Sequence, residues 1–323
     1  MSATIESVAT KTIAGPPIEQ RDAFACFGSR CTVIVADARV SDAQAAVAQA
    51  HGRLLEWHGQ FSRFQADSEL TKLNDAPEET VAVSPMMRRV VEAAVRAAHA
   101  TGGLVDPTLL TEIERVGYGS HFEGGGLPLA LALALAPDRA AGRPAPDANW
   151  RRVRTDRRAG TVTRPPGVRI DPGGIAKGVF ADELASVLTG FGAFVVDCGG
   201  DMRLGGRLEL PREVHVASPF DESVLHTFAV TRGGVATSGV GRRSWLDRDG
   251  RPAHHLLDPA TGRPAFTGVV QVTALAPTAT EAESLSKAAL LSGPERAEGI
   301  LVHGGAIVLE DGHFVALDPG AAI

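Results

Sequence analysis

The chain has 323 residues, 44% of them apolar, and a formal net charge of −6. That is enough apolar material for a full core, so global disorder is excluded, and the acidic balance argues against non-specific binding to nucleic acid or to an anionic membrane surface. Three cysteines, Cys26, Cys31 and Cys198, are odd in number and include no CxxC, which leaves out a disulfide framework, disfavours a zinc site and fits a reducing compartment.

Residues 1–22 are polar and contain Gly15-Pro16-Pro17, without an apolar segment of signal-peptide length or a lipid-attachment cysteine. They are expected to form a flexible N-terminal arm ahead of one unit over 23–323, in a cytoplasmic setting without membrane insertion. Cys31 to Ala36 reads as a strand. Ala43 to Gly59 reads as a helix. Ser68 is placed to cap a helix carrying Leu70 and Leu73, and Ser84 a second one to about Thr101, with Met87, Val90, Val91, Ala94, Val95 and Ala98 inward. Gly102-Gly103 ends that helix. Asp106, ahead of Pro107, is held extended and can start an Asx turn or offer its carboxylate to a ligand. Residues 119–149 are rich in Gly, Ala and Pro and read as an excursion with one helix over Leu127–Ala136, too short to span a bilayer. Trp150 to Thr163 reads as a hairpin.

Residues 168–206 are the most structured stretch. A β-like run ends at Asp171, and Pro172-Gly173-Gly174 turns the chain. A helix follows with Ile175, Val179, Phe180, Leu184, Val187 and Leu188 on one face. Ala193 to Val196 is a buried strand, followed by the turn Asp197-Cys198-Gly199-Gly200-Asp201. Two glycine turns thus flank one helix, with Lys177 in its first turn, a pattern suited to a phosphorylated ligand. By spacing alone an ordinary strand–helix–strand unit fits equally, since neither a P-loop nor a GxGxxG fingerprint is present. Further on, His215–Pro219, Thr227–Thr231 and Val269–Leu275 read as strands, and Ala276–Leu291 as a helix. Ile300-Leu-Val, a glycine turn, Ala306–Leu309 and a hairpin around Asp311-Gly312 close the chain. His254-His255 has no third ligand at metal spacing.

Asp171-Pro-Gly-Gly-Ile-Ala-Lys-Gly178, Ala181-Asp182 and Asp197-Cys-Gly-Gly-Asp201 together resemble the ApbE-like flavin transferases (FAD:protein FMN transferases). Phe61-Ser-Arg-Phe64 with Ser68-Glu-Leu70, Leu104-Val-Asp-Pro-Thr108, Ala236-Thr-Ser-Gly239 with Arg242-Arg243, and His254-His-Leu-Leu-Asp-Pro-Ala-Thr-Gly262 resemble further segments of that family in the same order. The likeness runs from about Phe24 to beyond Ser292. It implies an α+β, T-fold-like unit of two lobes with an FAD cleft between them. The implied activity moves FMN from FAD onto a Thr or Ser of an acceptor flavoprotein and releases AMP.

The resemblance also implies roles. Phe27 stands at a flavin-contacting position, where it can pack on the ring system or serve as a strand-entry core residue. Ser29, Asp201, Ser238 and Leu256 fall at FAD-lining positions, and Leu104, Val105 and Asp106 at the adenosine half. Asp171 would orient the flavin side or the turn. Lys177 and the helix N-terminus at Gly174 would neutralise phosphate oxygens, and His255 would be the base for the acceptor hydroxyl. Arg63 can face an acidic ligand or, as a lone arginine, lie at the surface, the latter being the expectation.

The family pattern Ala-Asp-Ala-Leu-Ser-Thr, which with a glycine-turn carbonyl binds Mg²⁺, is altered here. The carbonyl position falls on Gly174, the Asp position is Glu283, Ser286 is kept, and the Thr position is Lys287. Retained Mg²⁺ is the expectation. The alternatives are a Lys287 ammonium in place of the metal charge, or a plain i,i+4 pair between Glu283 and Lys287. An FAD pyrophosphatase giving FMN and AMP, or a non-catalytic FAD-binding protein, is the competing function.

Overall fold

Eight strands pair in chain order into one antiparallel sheet: β1 (Ile18–Cys26), β2 (Ser29–Asp37), β3 (Ala193–Cys198), β4 (Asp201–Gly205), β5 (Gly233–Gly239), β6 (Val269–Ala276), β7 (Gly305–Leu309) and β8 (Phe314–Leu317). The computed structural model describes residues 18–37, 39–120 and 126–319. Between β2 and β3 the chain makes helices α1 (Val40–Phe61), α2 (Glu69–Asp75), α3 (Pro85–Ala100), α4 (Leu110–Arg115), α5 (Leu129–Leu135) and α6 (Ala176–Leu188). Helices α7 (Ala279–Ser292) and α8 (Pro294–Ile300) lie between β6 and β7. This is the α+β class the resemblance implies.

The period-two alternation of the strands sorts the core. On β3, Phe194, Val196 and Cys198 join α1, α3 and α6, while Val195 turns to the opposite face and meets Val214, Val216 and Phe228. Those residues belong to a two-stranded ribbon, Arg212–Ala217 with Val224–Val230. A second large core gathers Val272, Leu290, Leu291, Ile307 and Leu256 from β6, α7, β7 and the double-histidine segment. The two largest cores are thus separate, in keeping with two lobes.

Residues 18–22, expected in the N-terminal arm, instead form the first half of β1, paired from Ile18↔Asp37 to Asp22↔Val33. The remainder of the arm, residues 1–17, lies outside the described residues. Ser68 and Ser84 cap as expected, accepting from Thr71 N and Met87 N. Val187, expected inward, is 66% exposed. The buried face of helix α6 runs through Phe180, Ala181, Leu184, Ala185 and Leu188, and Val187 falls outside it. Ile300 closes α8, a helix opened by Pro294.

Helices α6 and α7 cross closely because Gly178 has no side chain. A Cβ there would stand 2.7 Å from the Ala279 carbonyl oxygen. Asp182, one turn further along α6, caps α7 by accepting from Ala279 N (2.9 Å), Thr280 N (2.9 Å) and Thr280 Oγ1 (2.7 Å). Asp182→Ala is therefore expected to lower stability by about 1–2 kcal/mol, measured as a fall in the urea midpoint at unchanged slope; an unchanged midpoint would exclude this capping role.

Candidate functional site

The glycine turn at 171–174 is fixed from two sides. Asp171 N donates to the Pro107 carbonyl (2.8 Å), and Asp171 Oδ1 accepts from Gly173 N (2.8 Å). The Asp106-Pro107 loop is thereby tied to the turn. Asp106 Oδ1 accepts from Thr108 N (2.8 Å) and Thr108 Oγ1 (2.6 Å), which is the Asx turn. Its Oδ2 is buried without a partner, and burial pushes the carboxyl up against the opposing Thr108 bonds. Val105 is buried beside it, and Leu104 packs on the edge of the second core.

Arg63 is not the surface residue expected. Its side chain is 9% exposed, with Nε 3.8 Å from Asp171 Oδ2. The guanidinium carbon lies 4.4 Å from the ring centres of both Phe64 and Tyr118. Its two terminal nitrogens are buried without a hydrogen-bond partner.

A cluster of charges occupies the α6–α7 crossing. Lys177 Nζ pairs with Asp201 Oδ2, at the start of β4. Burial works against the Lys177 ammonium, but Asp201 and Glu283 outweigh it and its pKa is raised. Glu283 is fully buried; its Oε2 accepts from Gly178 N (2.8 Å) and its Oε1 from Lys287 Nζ (3.0 Å). Burial and the neighbouring Asp201 push the Glu283 carboxyl up, with Lys287, Lys177 and the Gly178 N–H opposing. Ser286 Oγ lies 2.8 Å from Ser238 Oγ and donates to the Glu283 carbonyl (3.1 Å), joining β5 to α7.

The β1–β2 hairpin closes on this cluster. Phe27 and Gly28 both take positive φ, 53° and 64°, the two-residue turn that matches strand twist. Phe27 N donates to His58 Nδ1 (3.3 Å), and its ring stacks on Phe180 at 5.1 Å. Those are the contacts of a core residue. Arg243 Nη2 donates to the Phe27 carbonyl (3.2 Å) and to Ser29 Oγ (3.4 Å). Gly199 abuts Ser29 so tightly that a Cβ would stand 2.5 Å from the Ser29 Cβ.

The two histidines differ. His254 is buried, its Nδ1 accepts from Leu256 N (3.2 Å), and burial lowers its pKa to about 4 against the opposing Ala265 backbone. Leu256 itself is buried in the second core. His255 is partly exposed overall, with its Nδ1 buried and unpartnered. Desolvation, then the charges of Arg243, His254, Lys287 and Lys177, hold His255 well below the ordinary histidine value. Burial and these neighbouring cations thus favour its neutral form.

The four positions expected to hold Mg²⁺ do meet, but not as a metal donor set. Both Glu283 oxygens are engaged by N–H donors, Ser286 is turned to Ser238, and Lys287 is a cation. Among the described residues no group of three or more His, Cys, Asp or Glu side chains is arranged to hold a metal. The expectation of retained Mg²⁺ does not fit these residues, because an ammonium already holds the carboxylate.

Sequence reasoning named most of this cluster and missed three parts of it: the burial of Arg63, the reach of Arg243 to the hairpin, and the Gly178 N–H bond to Glu283. Each of the three lies inside a quoted motif, which is the signal that singles it out.

Residues 27–308 match the model of the ApbE family. The FAD:protein FMN transferase of Treponema pallidum is 29% identical over 299 residues, covering 85% of this chain and 79% of that one. The FAD:protein FMN transferase of Vibrio cholerae is 30% identical over 258 residues, covering 76% and 72%. The crystal structure of the ApbE protein of Thermotoga maritima superposes with a TM-score of 0.76 at 27% identity, over 94% of this chain and 97% of that one. With the family model matched over 27–308, most of its length, the chain belongs to the ApbE family.

Proposed function

We propose that this chain is an FAD:protein FMN transferase. The observation that carries the reading is the charge cluster that the family's motifs build at the α6–α7 crossing, Lys177 with Asp201 and Lys287 with Glu283, with Arg243 gripping the adjoining hairpin. A base poised beside several cations suits attack by a hydroxyl on a phosphate anhydride, where positioning and charge neutralisation dominate.

FAD is the substrate. The oxygen of an acceptor Thr or Ser forms a bond to the FMN phosphorus, the bond from that phosphorus to the AMP oxygen breaks, and AMP leaves. His255 accepts the hydroxyl proton. Lys177, held by Asp201, and Lys287, held by Glu283, face the phosphate oxygens. The orphaned Asp106 Oδ2 accepts from a ribose hydroxyl or the adenine amine, with Leu104 and Val105 beside it. Ser29, Asp171, Gly174, Ser238 and Leu256 shape the remainder of the FAD site. Phe27 supports it from behind, through the hairpin that Arg243 grips. No step is routed through Mg²⁺, whose donor set is lacking.

The acceptor is a flavoprotein with a Ser/Thr-Gly-Ala-Thr-type site. A cytoplasmic setting suits the free thiols, since Cys31 and Cys198 are register partners on β2 and β3 and stay unlinked. Among the described residues no helix is long and apolar enough to cross a membrane.

Incubating the protein with FAD and such an acceptor domain tests the reading. An FMN-sized mass gain on the acceptor is expected, lost when the acceptor Thr is replaced by Ala. No mass gain on an acceptor that a related transferase does modify would reject it.

A further inference from the structure

We propose that the Lys287 ammonium takes the place of a divalent cation in this chain, so that FAD is bound and its phosphates neutralised without Mg²⁺. The inference rests on the flavin-transferase reading, since it concerns how the same site meets the FAD pyrophosphate.

Three observations carry it. The first is steric. The Lys287 stem runs over the glycine turn, with its Cδ and Cε each 3.8 Å from the point where a Cβ on Gly174 would stand, next to Val105. The space between that turn and Glu283, where an ion would sit against both, is filled by this side chain.

The second concerns donors. A hard divalent cation needs several free oxygen ligands. Glu283 spends one oxygen on the Gly178 N–H and the other on Lys287 Nζ at 3.0 Å, and Ser286 is paired with Ser238. The one orphaned carboxylate oxygen of the cluster is Asp201 Oδ1, whose other oxygen already holds Lys177. A single carboxylate oxygen beside the Lys177 ammonium is not a metal cradle.

The third is charge. Lys177 with Asp201 and Lys287 with Glu283 make two balanced pairs, and Arg243 and Asp197, whose charge reaches Lys177, add one charge of each sign, so no net negative charge is left to draw in a divalent ion. Adding a divalent ion would set it against Lys287 at contact range. An FAD pyrophosphate instead finds ammonium groups already fixed by carboxylates, which prevents them from folding away. The i,i+4 spacing that reads as a plain surface pair in the sequence is, on α7, a buried device: Glu283 is 0% and Lys287 12% exposed in their side chains.

FAD affinity, read by quenching of flavin fluorescence, tests this directly. In EDTA and in excess Mg²⁺ the wild-type chain is expected to bind FAD with Kd values within about twofold of each other. Lys287→Gln, which can still donate to Glu283 but carries no charge, is expected to weaken FAD binding in EDTA by about tenfold or more. Strengthening of wild-type binding by Mg²⁺ of about fivefold or more, or a Lys287→Gln variant that binds FAD as the wild type does, would overturn the proposal. Should that variant fail to fold, the wild-type comparison alone decides. The transferase reading fails separately: if FAD binds equally in both buffers and no FMN reaches an acceptor, the site is metal-free but not a transferase, whereas absence of FAD binding in either buffer removes both.

Discussion

Replacing His255 by alanine is expected to cut FMN transfer by about 1000-fold while leaving FAD affinity within roughly twofold. The split follows from position. The His255 Nδ1 has no partner among the described residues, and the cations proposed to meet the FAD phosphates belong to α6, α7 and the segment after β5. A positioned base acts in the transition state, so kcat and kcat/KM should fall together. The same residue sets the pH profile. His255 must be neutral to accept the hydroxyl proton, and burial with the neighbouring cations holds its pKa well below the ordinary 6.5. The acid limb of kcat/KM is therefore expected below that value, with transfer sustained at pH 6. A limb centred at or above the ordinary value, or an alanine variant with full transfer, would remove His255 from the base position.

The second large effect is expected at the Lys177–Asp201 pair. Asp201 is 1% and Lys177 18% exposed in their side chains, so Asp201→Asn strands a buried ammonium. Breaking such a pair costs about 3–5 kcal/mol, and Glu283, whose charge also reaches Lys177, offsets part of that. A fall in the urea midpoint together with loss of FAD binding is expected. The double variant Lys177→Met/Asp201→Asn separates the two consequences. It should recover most of the stability, because no uncompensated charge is left, and should not recover FAD binding. If Asp201→Asn is as stable as the wild type, the pair is not the element that holds the α6 N-terminus to β4.

Much of this was legible from residue patterns. Ser68 and Ser84 cap as their chemistry requires, and the apolar runs at Val269 and Ala306 are strands of the main sheet. What pattern could not supply was which side of a helix faces its neighbour. On α6 the inward face runs through Phe180, Ala181, Leu184, Ala185 and Leu188, Gly178 lets α7 approach, and Val187 plays no part in the core despite its spacing. The strand that begins at Ile18 is hidden in the sequence because a polar strand at a sheet edge, with Glu19 and Arg21 exposed, has the composition of a linker. In the site, the motif residues do come together at the α6–α7 crossing, but their pairing is a tertiary fact. Nothing in Glu283 and Lys287 as letters says that Gly178, about a hundred positions earlier, supplies the second bond to the carboxylate. Arg63 likewise reads as an isolated charge until Phe64, Tyr118 and Asp171 are brought around it.

The central claim is group transfer rather than hydrolysis, and the ratio of AMP released to flavin attached measures it most directly. AMP and the acceptor's mass would be read in one reaction of the purified chain, FAD and acceptor domain. The account predicts one AMP for each FMN attached and no AMP when the acceptor is left out. Steady AMP release without acceptor, with FMN appearing free in solution, would contradict it and make the chain an FAD pyrophosphatase.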